Sequence, residues 1–212
     1  MPTTMLPTII VLGLFACPGA AQCTRALLTA ATDSLLAAQT DGAPDTLGTA
    51  AGLTYLEQFK PADFTTGILS IAVHVDFNRS LHDTMQCATY TEIIAARNTT
   101  HPYVIGAQMH IGADDGQIAN ISTLVTDAGD WLFNATGTLY WASREKWEPI
   151  PEDRRDSRAV IQAAADAYAD LFDDKTVVVP WGSPCARLEG GSYTGSGAAS
   201  DRCDVGIPDG IF

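Results

Sequence analysis

Leu27, Leu28, Ala31, Leu35 and Ala38 fall on one face at helical spacing, behind a Thr24 able to cap the first turn. This predicts an amphipathic helix over 24–39, ended by Asp41-Gly42. A loop rich in Gly, Ala and Thr leads to a short strand at 53–59, which Lys60-Pro61 breaks. Over 68–77, Leu69, Ile71, Val73 and Val75 alternate with Ser70, Ala72, His74 and Asp76, the period of a half-buried strand. A turn at 78–83 precedes strand-like runs at 84–94, 103–111 and 117–126, and Asp114-Asp115-Gly116 joins the last two as a hairpin. After the turn at 127–130 a final strand is expected over 131–141. A charged, proline-containing linker at 144–156 then leads to a second helix over 157–172, with the stripe Val160, Ile161, Ala164, Tyr168, Leu171 and Phe172. Residues 177–181 read as one more strand, and irregular chain follows from Gly182.

The two helical segments are related. Arg25, Ala26, Ala30, Ala31 and Asp33 recur without gaps as Arg158, Ala159, Ala163, Ala164 and Asp166, and Leu56-Glu57 returns as Leu188-Glu189. That spacing exceeds the ~20 to 50 residues of a solenoid unit and points to a duplicated domain, one unit complete and a second begun. The expected organisation is a leader at 1–21, a first domain at 22–143, a linker at 144–156 and a partial second repeat at 157–212. An open antiparallel sheet with a helix on its face would bury both apolar stripes in one core, an α+β fold.

The first residues carry an apolar run from Ile9 to Ala16 and then Pro18-Gly19-Ala20-Ala21, the features of a secretory signal cleaved after Ala21. Cleavage removes Cys17 and leaves Cys23, Cys87, Cys185 and Cys203, an even set that favours two disulfides outside the cytosol. Four cysteines allow three connectivities; Cys23–Cys87 with Cys185–Cys203 keeps each bond inside one repeat unit and is the expected pairing. Four glycosylation acceptors, Asn78, Asn98, Asn120 and Asn134, fit the same compartment. If Asn120 and Asn134 carry glycans, Ile121, Thr123, Val125, Phe133, Leu139 and Trp141 face inward. No run is long and uncharged enough for a membrane span. The formal net charge of -13, with no basic cluster beyond Arg154-Arg155, disfavours nucleic acid and anionic membranes as partners.

Several segments carry a family likeness: TYLEQFK, DFNRSLHDTMQCATYTEII, HPYVIG, GDWLFNATGTLY and VPWGSPCARLEGGSYTG. With the order of elements, they resemble secreted fungal proteins built on the SnoaL-like, ketosteroid-isomerase-like cone, also called nuclear-transport-factor-2-like. The resemblance implies a cone-shaped, bent antiparallel sheet with packed helices, followed by a partial second copy. It also implies a cofactor-independent isomerase or cyclase of fungal secondary metabolism acting on a lipophilic small molecule, similar to the dimerizing cyclases that join maleic anhydride units. A homodimer is compatible with this picture. A non-catalytic protein that binds a hydrophobic small molecule in the same cavity is the alternative, and a glycosylated interaction protein with a filled interior is a third.

No hydrolase, nucleotide, zincin or dinucleotide motif is present, so chemistry has to come from a pocket. Candidate acids and bases are His74 and Asp76 on one expected strand, His82 in the turn after it, Tyr90 with Glu92 on the next strand, and Tyr55 with Glu57 on the short one. In an apolar cavity such a group removes a proton beside a carbonyl while a phenol steadies the enolate. The four tryptophans, Trp131, Trp141, Trp147 and Trp181, are expected in the core. Neither the histidines nor the cysteines have metal-ligand spacing, so no metal is expected.

Overall fold

Thr24 caps helix α1 (Arg25–Asp41) by accepting a hydrogen bond from the Leu27 amide, and Gly42, in the left-handed region, ends it. The stripe read from the sequence is the buried face, with Leu28, Leu35 and Ala38 enclosed. The computed structural model describes residues 23–97 and 100–208. The leader segment and Asn98 lie outside the described residues.

Strands β1 (Thr49–Glu57), β2 (Lys60–Pro61), β3 (Phe77–Asp83), β4 (Ala88–Ala95), β5 (Tyr103–Ile111) and β6 (Ile118–Thr126) form one six-stranded sheet in the order β2-β1-β6-β5-β4-β3. β3 to β6 make the expected antiparallel meander. β1 joins it parallel to β6, so the sheet is mixed rather than purely antiparallel. α1 packs on the face that carries Ile93, Ile105, Met109 and Ile121, all fully buried, and this layer pair is the main core.

Two segments differ from the sequence reading. Residues 68–77 are not a strand: Ile68–Ser70 is a 3-10 turn, and the strand begins only at Phe77, across the residues expected to turn. The turn lies later, where the Asp83 carboxylate accepts from the Met85 and Gln86 amides. The first part of the displaced segment is tied to α1 and, through the Glu57 side chain, to β1, and only its end joins β4, where the Asp76 amide donates to the Ile94 carbonyl. Gln39 donates to the Ile68 and Ile71 carbonyls, and its own carbonyl accepts from the Val73 amide.

The second difference is α2 (Ala135–Ala142), a helix where a strand was expected. Asn134 caps it by accepting from the Gly137 amide, and Ala135, Thr138, Leu139 and Ala142 are buried at positions i, i+3, i+4 and i+7. Burial on a helical stripe overrides the strand preference of Thr, Tyr and Trp. Leu139 and Ala142 pack with Ile94 in a second cluster on the sheet face opposite α1.

α3 (Arg158–Asp170) repeats the cap of α1, with the Ser157 hydroxyl accepting from the Val160 amide. It does not repeat the packing. Val160 and Ile161 are 50% and 61% exposed, so the two stripes do not share one core. The far end of α3 is covered by its own neighbours: Tyr168 meets Phe172 and Trp181 edge-on, and Leu171 is buried. Residues 177–181 are not a strand; the last strands among the described residues are the short hairpin β7 (Leu188–Glu189) and β8 (Ser192–Tyr193), and Tyr193 stacks on Trp141 of α2.

Disulfides join Cys23 to Cys87 and Cys185 to Cys203. The first fastens the start of α1 to the β3–β4 turn. Among the described residues no helix is long and apolar enough to cross a membrane. Both facts are compatible with a secreted protein.

Candidate functional site

The register of the meander puts Phe77, Arg79 and Leu81 of β3, Tyr90, Glu92 and Ile94 of β4, Val104, Gly106 and Gln108 of β5, and Leu124 and Thr126 of β6 on the face turned away from α1. α2 covers only the Ile94 end of it. Over the remainder run three adjoining hollows. The central one, about 310 Å³, is lined by Arg79, Leu81, Tyr90, Glu92, Trp147 and Leu188. A second, about 250 Å³, shares Glu92 and Leu188 and adds Val104, Trp131, Phe133 and Gly191. A third, about 580 Å³, shares Leu81 and Tyr90 and continues past Met85 and Gln108 to Arg158 and Ile161.

Shared walls make these one trough. Its floor is the sheet, and its sides come from α2, the β7–β8 hairpin, the 143–157 linker and the start of α3. Leu81 and Tyr90 are 48% and 46% exposed, Trp147 59% and Trp131 72%, so a run of apolar and aromatic surface faces solvent on one side of the molecule. A contiguous exposed apolar patch of this kind is a candidate interaction surface. The expectation that all four tryptophans are core therefore fails for Trp131 and Trp147.

Two glycines shape the trough. A Cβ on Gly106 would stand 2.8 Å from the Tyr90 hydroxyl and 3.2 Å from its ring, so the phenol lies flat on β5 because residue 106 has no side chain. At Gly191, φ is 99° and a Cβ would stand 2.2 Å from the Asn134 carbonyl oxygen, so glycine lets the hairpin abut the start of α2. Burial, then the Glu92 carboxylate, pushes the Tyr90 phenol up against a smaller opposing effect of Arg79, so it is a proton donor at neutral pH.

Arg79 is the charged centre. Its side chain is 15% exposed, and its two terminal nitrogens donate to Glu92 at 3.1 Å and Glu145 at 2.6 Å. The guanidinium carbon lies 4.2 Å from the centre of the Trp147 ring and 5.6 Å from that of Phe77. The Trp147 indole N–H donates to the same Glu145 oxygen at 2.9 Å.

The other sequence candidates separate into distinct places. Tyr55 and Glu57 lie on the α1 side of the sheet. The Tyr55 hydroxyl donates to Glu57 at 2.6 Å and lies 3.1 Å from Thr123 Oγ1, while the same Glu57 oxygen accepts from the Ile68 amide at 2.8 Å. Burial, then the hydrogen bond to Glu57, pushes the Tyr55 phenol far above its usual value. The trio clasps the 3-10 turn to the sheet.

His74 and Asp76 share no strand. They sit in the irregular run before β3, 3.6 Å apart, with the His74 side chain exposed and that of Asp76 almost fully enclosed. Asp76 accepts from the Ala96 and Arg97 amides at 2.7 Å each and from Arg97 Nε at 3.1 Å. Burial acts to raise its carboxyl, but those donors and the Arg97 charge outweigh it and hold the group below the usual carboxylate range. An acid bound by three N–H groups is a fastener more than a base.

His82 lies on β3, not in a turn, and points to the α1 side, where Nε2 is 3.2 Å from Thr32 Oγ1. Burial, then the charge of Arg25, lowers its pKa against the opposing effect of Asp33, so the imidazole is neutral at pH 7. Because β3 is the edge strand, His82 also borders the third hollow, beside Tyr90. Next to it, Asp83 forms a two-pronged ion pair with Arg158, whose guanidinium holds that carboxyl down. Of the sequons, Asn78 and Asn134 are exposed and Asn120 is half-buried.

Sequence reasoning missed Arg79, Trp147 and Leu188. The signal for Arg79 was the alternation Phe77, Arg79, Leu81, masked by reading those residues as a turn. No local pattern ties Trp147 or Leu188 to β4. Among the described residues no group of His, Cys, Asp and Glu is placed to hold a metal.

Comparison with known proteins adds little chemistry. A family model described as a domain of unknown function (DUF8021) matches residues 154–212, which include α3 and the β7–β8 hairpin but none of the six-stranded sheet. No curated protein matches the chain. Among solved structures, PrhC from Penicillium brasilianum is similar at 9% identity with a TM-score of 0.36, over 48% of this chain and 82% of its own.

Proposed function

We propose that this is a secreted protein that binds a hydrophobic small molecule in the trough opposite α1, without transforming it. The observation that carries this is the continuity of three hollows along one largely apolar, aromatic sheet face, whose charged groups are paired with one another: Arg79 with Glu92 and Glu145 at the centre, and Arg158 with Asp83 at one end. Apolar walls with few polar anchors suit a lipophilic ligand. The α1 side, by contrast, is filled by side chains such as Leu35, Ile105 and Ile121. Asp76 and Glu57 are engaged in structural hydrogen bonds, which supports binding over proton abstraction by either.

The test is titration of a neutral lipophilic fluorophore such as Nile red into the protein and into Leu188→Arg, which places a charge at the shared wall of two hollows. Saturable binding weakened about tenfold or more in the variant supports the reading, since burying an unpaired charge costs several kcal/mol. Equal binding by both proteins, or none by the wild type, refutes it.

A second reading, a cofactor-independent isomerase or cyclase, is favoured by one observation: neutral His82 and protonated Tyr90 border the same hollow. For both to act on one substrate the His82 ring has to turn from Thr32 around the β3 edge to the Tyr90 side, where it would take a proton alpha to a carbonyl while Tyr90 donates to the enolate oxygen. This reading takes the sheet as the cone of SnoaL-like proteins. Turnover lost in His82→Ala with melting unchanged supports it; full turnover in that variant rejects it.

A further inference from the structure

Arg79 holds two carboxylates of different origin. Glu92 is its direct cross-strand partner in the β3–β4 ladder. Glu145 comes from the linker, and among the described residues the hydrogen bonds and cation–π contact that bring Glu145 and Trp147 to the sheet run through Arg79. The guanidinium is thus the fixed group in the trough, and the Glu145–Trp147 segment is a strap laid over it. Trp147, more than half exposed, is held against Arg79 rather than sunk in a core.

We propose that the trough selects a lipophile bearing a carboxylate, and that Glu145 is an internal stand-in which the ligand's carboxylate displaces from Arg79. The inference rests on the binding reading given above. Charge complementarity carries it. A guanidinium presents a planar fork of N–H donors that matches a carboxylate, and pairs with one in preference to neutral oxygen. Exchanging Glu145 for a ligand carboxylate keeps the local charge constant, whereas a neutral lipophile that moved the strap would leave Arg79 short of an acceptor in a partly dry site. In a chain of net charge -13, a fixed cation at the trough centre is what makes an anionic ligand acceptable there. The apolar run from Leu188 and Val104 toward Trp131 and Phe133 would take the tail. Trp147 leaves Arg79 when Glu145 does, so ligand entry has an optical signature.

Decanoic acid and decanol, titrated calorimetrically into the full chain at pH 7.5, test this. The acid should bind at least about tenfold more tightly than the alcohol, because a charge-assisted pair is made only with the acid. Arg79→Gln should reduce that ratio to near one, and Glu145→Gln should tighten the acid several-fold while leaving the alcohol unchanged. Trp147 emission, assigned with Trp147→Phe, should change with the acid and not with the alcohol. Equal affinities in the wild type, or acid binding indifferent to Glu145→Gln, overturns the carboxylate assignment while leaving the trough standing. Binding of neither ligand overturns both. Glu145→Gln keeps the shape of a linker side chain that belongs to neither hydrophobic core, so the outcome does not depend on Arg79→Gln folding.

Discussion

Tyr55→Phe isolates the clasp that fastens the 3-10 turn at Ile68–Ser70 to the sheet. Tyr55 is 5% exposed, and its hydroxyl makes a 2.6 Å hydrogen bond to the Glu57 carboxylate. A hydrogen bond to a charged acceptor contributes about 1.5–3 kcal/mol. The loss should fall in the lower half of that range, because Glu57 keeps the Ile68 amide and is partly exposed, and Thr123 keeps a weak bond to the Leu56 carbonyl. We expect destabilisation of about 1.5–2 kcal/mol, or roughly 3–8 °C in Tm. Urea denaturation followed by circular dichroism measures it as a lower midpoint at constant slope. The folded phenol's pKa is raised, so its contribution is complete below about pH 10, the unfolded value, and is lost as pH rises through the folded one. The variant's stability should therefore fall less steeply than wild type on the alkaline side. A change below about 0.5 kcal/mol, or a variant of normal stability that loses ligand binding or turnover, would refute the clasp and return Tyr55 and Glu57 to the functional site.

Replacing Cys23 and Cys87 with serine opens a link spanning 64 residues, and the chain-entropy model gives about 4 kcal/mol of lost stability; a loss under about 1 kcal/mol in urea would contradict it. The His82 imidazole should titrate below its ordinary value of about 6.5 by NMR, higher in Arg25→Gln and lower in Asp33→Asn, and a wild-type value at or above 6.5 would remove the neutral base from the third hollow. Its depressed pKa means that this group's contribution is complete above pH 6.5 and declines as pH falls below it. Arg158→Ala should loosen α3 and speed limited proteolysis within 143–157. The depressed Asp83 carboxyl contributes stability above pH ~4 that is lost on acidification, so the variant's acid dependence should be shallower; unchanged cleavage would mean that α3 is held elsewhere.

In α1, β5 and β6 one face is buried and the sequence period follows it. The α1 stripe at Leu28, Leu35 and Ala38 and the alternation of β5 and β6 are direct records of burial. The reading slipped where a side chain outside the segment decides its backbone. Gln39 pulls residues 68–73 off the sheet, and that moved β3 into a region that looked like a turn. Asn134 and a four-residue buried stripe make a helix of ATGTLYWA, a signal present in the sequence but outweighed by its Thr and aromatic content. The parallel pairing of β1 with β6 is topological, and no local pattern encodes it. The same holds for the trough, where Arg79, Tyr90, Trp147 and Leu188 meet only after β3 has been set in register with β4.

A 15N-labelled sample titrated with a ten-carbon lipophile, with amide shifts mapped residue by residue, tests the trough most directly. The account predicts saturable shifts concentrated at Leu81, Tyr90, Val104 and Leu188, with the amides of Leu28, Leu35 and Ile105 unmoved. Shifts centred on the α1 side, or scattered without saturation, would contradict it.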